Sequence, residues 1–95
     1  MSYSLRFKQE AKKEWDRLDP VIRAQFARKL CERRDNPKIE SARLSGMPSC
    51  YKIKLRSAGY RLVYEVRDQE VVIVVIAVGK RGRHAVYKAA VRRLE

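Results

Sequence analysis

The sequence is poor in the side chains that enzymes most often use to move protons or hold metals. It has one histidine, His84, and two cysteines, Cys31 and Cys50. The cysteines match no metal-ligand spacing, and a lone imidazole cannot complete a zinc site, so no cofactor is expected. Both are read as reduced thiols, buried or half-buried. No carboxylate pair, histidine pair or Ser-His-Asp set stands out for acid–base or nucleophilic work. No apolar run approaches the ~18 residues of a membrane span. The run from Val71 to Val78 is only strand length. The first ten residues, MSYSLRFKQE, carry no apolar signal-peptide segment, which reads as a cytoplasmic protein with no membrane partner. Neither an internal repeat nor a low-complexity segment is visible. Acidic side chains are scarce as well: 11 Asp and Glu stand against 23 Lys and Arg, for a net charge of +12.

That imbalance is the main thing present. Ninety-five residues make one small domain, 1–95, with a single core and little surplus stability. A charge of +12 repels itself in the compact state and suits a polyanionic partner: RNA, DNA, a membrane face or an acidic protein.

Taken in order, Tyr3, Leu5 and Phe7 alternate with polar residues and predict a short first strand. Ala11, Trp15 and Leu18 fall at helical spacing between Lys8 and Leu18, with Trp15 read as core. Asp19-Pro20 breaks the pattern and restarts it, Asp as cap and Pro in the first turn. The second helix has Ile22, Phe26 and Leu30 four apart, widened by Val21, Ala27 and Cys31, and ends before Pro37. So short a link predicts a helical hairpin. Residues 36–49 read as a loop anchored by Ile39 and Leu44.

The centre of the chain is CYKIKLRSAGYRLVY, residues 50–64. Tyr51, Ile53 and Leu55 alternate with Lys52, Lys54 and Arg56, which puts an apolar set on one strand face and cations on the other. With Ala58 and Gly59 as a two-residue turn, the expected pairs are Arg56 with Arg61, Lys54 with Val63 and Lys52 with Glu65. Val71 to Val78 is apolar on both parities, as in an interior strand ended by Gly79. A basic loop, Lys80 to His84, precedes a small helix over 85–94. The order β-α-α-β-β-β-α predicts an α+β domain with a small, mainly antiparallel sheet.

Lys52, Lys54 and Arg61 share one predicted strand face, and Arg81 follows the adjacent strand closely enough to reach the same rim. Such a cluster suits a phosphodiester, whose oxygens gain charge in the transition state. Like charges depress a lysine pKa toward use as a general base, whereas arginine stays charged and donates hydrogen bonds. Tyr87, one turn into the last helix, is placed to stack on a base or orient a phosphate. On spacing alone, a strand face that binds phosphate backbone without cutting it accounts for the pattern better than a nuclease does.

The joint pattern YKIKLRSAGYRLVY, then VGKR, then a tyrosine six residues after that arginine, resembles the RelE toxins of bacterial and archaeal toxin–antitoxin pairs. The resemblance extends over nearly the whole chain, including the FKQEAKKEWDRL helix. It implies a metal-independent endoribonuclease that cuts mRNA in the ribosomal A site and so blocks translation. The ribose 2′-OH attacks the adjacent phosphate, leaving a 2′,3′-cyclic phosphate and a 5′-OH. By the same resemblance Lys54 is the base, Lys52 and Arg61 hold the phosphate, Arg81 stabilises or protonates the leaving oxygen, and Tyr87 stacks. Arg43, Arg56, Lys80, Arg83 and His84 are expected to contact RNA or ribosome, and His84 is also a candidate auxiliary acid. Relatives carry Arg just before the Gly-Met-Pro element where this chain has Ser45, with Arg43 as a possible substitute. The implied partners are the ribosome, mRNA and a RelB-like antitoxin, acidic where it contacts the toxin, which remodels the last helix. Two other classes fit the scaffold: a non-nucleolytic ParE-type toxin acting on DNA gyrase, and a basic RNA- or ribosome-binding module.

Overall fold

The computed structural model describes residues 2–82 and 84–94. Strand β1 (Ser4–Phe7) leads through helices α1 (Gln9–Asp16) and α2 (Pro20–Arg33) and a short 3-10 turn to β2 (Cys50–Leu55), β3 (Tyr60–Arg67), β4 (Val72–Lys80) and α3 (Ala85–Leu94). The sheet order is β1-β4-β3-β2. Both hairpin pairings are antiparallel, and β1 lies parallel to β4, with α1, α2 and the first hairpin forming the crossover. The α+β class is as expected, with one parallel pairing in a mixed sheet.

A local signal explains where α2 starts. Asp19 Oδ1 accepts the Val21 N–H at 2.9 Å, and Pro20 occupies the first helical position, where its missing N–H costs nothing. Helix α2 buries a narrower stripe than its spacing suggests. Phe26 and Leu30 are fully buried, but Val21 and Cys31 are exposed. The expectation of a covered Cys31 thiol is therefore corrected. One helix lying on one edge of a small sheet covers a single line of residues.

β4 is interior, as its apolar run predicts, and both of its faces are covered. On one face Ile73, Val75 and Val78 pack with Ala11, Phe26, Leu30, Ile53, Leu62 and Tyr64 beneath α1 and α2. On the other, Val72, Val74, Ile76 and Ala77 pack with Val63, Cys50 and the small α3 residues Ala89 and Ala90. A bulge between Val63 and Tyr64 leaves Ile76 as an extra residue, so Ile76 and Ala77 point to the same side. β1 pairs with β4 only as far as Val75. Past that point the exposed edge is closed by a bidentate pair, Arg93 on α3 with Glu14 on α1, at 2.8 and 3.0 Å. Arg93 also donates to the Ile76 carbonyl at 2.8 Å, and Glu14 accepts the Val78 N–H at 3.2 Å.

Two sequence expectations shift. The first hairpin pairs Lys54 with Arg61, Lys52 with Val63 and Cys50 with Glu65, two residues from the expected register. Its loop is four residues, Arg56 to Gly59, closed by Gly59 N–H to Leu55 O at 2.8 Å. The left-handed position falls on Gly59 (φ +71°), which has no Cβ to clash, and this sets the longer loop. The last strand begins at Val72 because Val71 takes φ +56° in the turn, and it continues past Gly79 to Lys80.

Candidate active site

The α3 side of the sheet is where the cations gather. Strand alternation puts Lys52 and Lys54 on that face, and the observed register sets Arg61 directly across from Lys54. Gly79 is the β4 partner of Arg61 and adds no side chain there. α3 starts only at Ala85, so the end of the sheet stays open. The Arg81 N–H donates to the Gly59 carbonyl at 2.6 Å, stitching the loop after β4 to the first hairpin turn. The result is a cavity of about 350 Å³ whose walls include Lys52, Lys54, Arg61, Arg81, His84 and Tyr87. All five residues assigned a catalytic role by resemblance meet there.

The wider set divides along the same trough. Lys80 lines the central cavity. Arg56 lines a smaller one of about 140 Å³ that shares Lys54, Arg61 and Arg81 with it. Arg43 lies on the opposite flank, 3.6 Å from Glu40. Arg83 lies outside the described residues. A larger concavity of about 550 Å³ over residues 40–48 has only Arg43 among these cations, so its size does not mark the chemistry.

Electrostatics distinguishes the cations. The Lys54 pKa is pushed below the usual lysine value, first by Lys52, then by partial burial, Arg61 and Arg56. No described wall of the central cavity is a carboxylate that would reverse this. Cys50, on the same strand face, is raised to about 11, chiefly by burial, and is no nucleophile. The Tyr87 hydroxyl is buried without a hydrogen-bond partner among the described residues. A buried hydroxyl left without a protein partner costs stability unless a water or a ligand supplies one. His84 is exposed and left-handed (φ +58°), its ring centroid 6.1 Å from that of Tyr87, and its carbonyl begins α3 by accepting the Lys88 N–H at 2.9 Å.

Such a site can hold a phosphate between guanidinium groups and remove a proton from a neighbouring hydroxyl with a lysine that sheds its own proton more readily than an ordinary lysine. Sequence reasoning missed Leu44, Met47, Lys88 and Val91, which wall the trough beyond Lys52 and Tyr87. The only signal for them was the Gly46-Met47-Pro48 turn and the four-residue step from Tyr87 to Val91.

Residues 5–85 match the family described as the ParE toxin of type II toxin–antitoxin systems, parDE. The chain is 54% identical over 94 residues to the mRNA interferase toxin RelE of Escherichia coli (strain K12), with 99% of each chain covered. Among solved structures, a free-state E. coli RelE with two arginine-to-alanine substitutions superposes with a TM-score of 0.93 at 52% identity, covering both chains fully. The toxin in the intact E. coli RelBE toxin–antitoxin complex superposes at 0.83 with 54% identity, covering 86% of this chain and all of that one.

Proposed function

The chain belongs to the RelE/ParE family of type II toxin–antitoxin toxins, and from that premise we propose that it is an mRNA interferase: a ribosome-dependent endoribonuclease that cuts mRNA in the A site and stops translation. The observation that carries this reading is the meeting of Lys52, Lys54, Arg61, Arg81 and Tyr87 around one cavity.

In this reading Lys54, neutral, takes the proton of a ribose 2′-OH. The oxygen attacks the adjacent phosphorus and the P–O5′ bond breaks, leaving a 2′,3′-cyclic phosphate and a 5′-OH. Lys52 and Arg61 hold the non-bridging oxygens as their charge grows. Arg81, pinned by its backbone to Gly59, stabilises the departing O5′, which takes a proton from solvent to become the 5′-OH. Tyr87 orients the nucleotide, its buried hydroxyl, without a partner among the described residues, free to bond to it. Use of the 2′-OH restricts the substrate to RNA. A weak base and no strong acid leave positioning to supply much of the rate, and a ribosome holding the mRNA provides it. The toxin is kept inactive by a RelB-like antitoxin whose acidic surface faces the cations, so antitoxin affinity falls as salt rises. No described helix is long and apolar enough to cross a membrane.

The test is primer extension on translated mRNA, with and without ribosomes. Cuts confined to ribosome-occupied codons, lost in Arg81→Ala without loss of ribosome binding, support the reading. Equal cutting of naked mRNA, or an Arg81→Ala variant as fast as its parent, contradicts it. Inhibition of gyrase with no RNA cleavage would favour the ParE-type activity instead.

A further inference from the structure

The trough does not stop at the cationic cavity. Its central part shares two walls, Lys52 and Tyr87, with a neighbouring cavity of about 500 Å³ completed by Leu44, Ser45, Met47, Lys88 and Val91. That space runs on into one of about 260 Å³ bounded by Gly46, Met47, Pro48, Val91 and Leu94, with no charged side chain among its described lining residues. In the other direction, past Lys54 and Arg61, the walls include Arg56 and Arg81. Along one continuous trough the lining thus passes from cations to an apolar surface.

Resting on the mRNA-interferase reading, we propose that the Leu44–Met47–Val91 trough is a nucleobase subsite: it receives the base of a nucleotide next to the cleaved linkage and sets which codons are cut. The chemistry of a single RNA strand matches the change in lining. Its phosphate seeks the guanidinium and ammonium groups, while its base has two apolar faces and a polar edge. Tyr87 and Val91 lie one helical turn apart on the same face of α3, so a base beside the phosphate on Tyr87 meets Val91 next. Val91 is 42% exposed, a partly uncovered apolar side chain. The buried Tyr87 hydroxyl, unpartnered among the described residues, stands at the shared wall. Around the rim, the Ser45 hydroxyl and the Lys88 amine offer hydrogen bonds to a base edge.

The opposite wall is built to hold its shape, which discrimination between bases requires. Leu44 N–H donates to Cys50 O at 2.9 Å, and Cys50 N–H to Met47 O at 3.1 Å. Gly46 and Ser49 take left-handed conformations (φ +77° and +63°) that fold the turn back on itself. Leu44 and Met47 pack from beneath on the α3-side core. A peptide is the other conceivable occupant. The base is favoured because the trough is continuous with the cations and its rim, Arg43, Lys52 and Lys88, is positive throughout.

The experiment measures single-turnover cleavage on ribosomes programmed with mRNAs that differ in the bases flanking the cut linkage. Val91→Trp fills the trough, and Val91→Gln serves as a second variant should the larger side chain disturb folding. The expected result is selective: ratios of rate between codons change about tenfold or more at one flanking position. An unchanged profile, or a uniform loss across all codons, overturns the subsite. So does an unchanged codon profile combined with weakened antitoxin binding, which would make the trough a peptide-docking surface. If the parent protein cuts no mRNA on ribosomes, the nuclease reading itself fails and the subsite falls with it.

Discussion

Tyr64 and Tyr87 sit on opposite faces of the same sheet, and their hydroxyls are treated in opposite ways. Tyr64 is fully buried on the α1/α2 side, stacked on Tyr51 at 5.7 Å between ring centroids. Its hydroxyl donates to Pro37 O at 2.6 Å and accepts from Arg33 at 2.7 Å. Burial raises its pKa while Arg33 pulls the other way. Tyr87 has a hydroxyl just as hidden, with no partner among the described residues. Large side chains and satisfied polar groups on the first face hold the fold. The second face has small α3 residues, leaves its cations uncovered at one end, and keeps a polar group in reserve. Stability and chemistry are thereby separated by the thickness of a sheet, and substitutions on the two sides should fail in different ways.

The largest expected effect is on the open face. Lys54→Arg keeps the charge but removes a side chain that can lose its proton, and cleavage on ribosomes should fall about 10²–10⁴-fold. Thermal unfolding should be nearly unchanged, and an unfolding shift that accounts for the lost rate would erase the contrast between the faces. Tyr64→Phe should do the reverse. It strands the Arg33 guanidinium and the Pro37 carbonyl, costing about 1–3 kcal/mol in denaturant unfolding. Cleavage per folded molecule should stay close to the parent's.

Arg93→Ala probes the attachment of α3. It takes the guanidinium donor from the Ile76 carbonyl and leaves Glu14 with the Val78 N–H, at about 1–2 kcal/mol. Faster hydrogen exchange should be confined to α3, and uniform acceleration over the whole sheet would show that the two faces are not separable. The smallest expected effect has opposite signs in its two readouts. Tyr87→Phe removes an unpaired buried hydroxyl, so stability should hold or rise by up to ~1 kcal/mol, while cleavage falls roughly tenfold. A drop in stability would mean that the hydroxyl already has a partner in the free protein.

Much of this division was legible before any coordinates. Alternation in Tyr51 to Arg56 assigned each side chain to its face, and the two-sided apolar run placed the last strand inside the sheet. The hairpin register was not legible, and the reason is physical. A strand repeats every two residues, so pairing shifted by two preserves every face assignment, and only the turn can decide. Here the decision lay with Gly59 and its positive φ. The exposure of Cys31 escaped for a related reason: helical spacing identifies the stripe that can be buried, and the width of the surface it meets determines how much is. Alternation and the basic loop already grouped the five candidates, but their catalytic roles came from the resemblance, because the residue pattern alone argued better for a phosphate-binding strand. The base subsite was out of reach, because Leu44, Met47 and Val91 are ordinary apolar residues until the turn and α3 bring them beside Tyr87.

The most direct test is the pH profile of single-turnover cleavage on programmed ribosomes, read between pH ~6 and ~9. The base acts in its neutral form, so the rate should rise with pH across this range as the neutral fraction of Lys54 grows. Lys52, burial and Arg61 hold its pKa below the ordinary lysine value, so that fraction exceeds a free lysine's at every pH, and the Lys54→Arg variant should lose the rise. A profile flat across the range with chemistry rate-limiting, or a rise that survives in Lys54→Arg, would contradict Lys54 as the group that activates the 2′-OH.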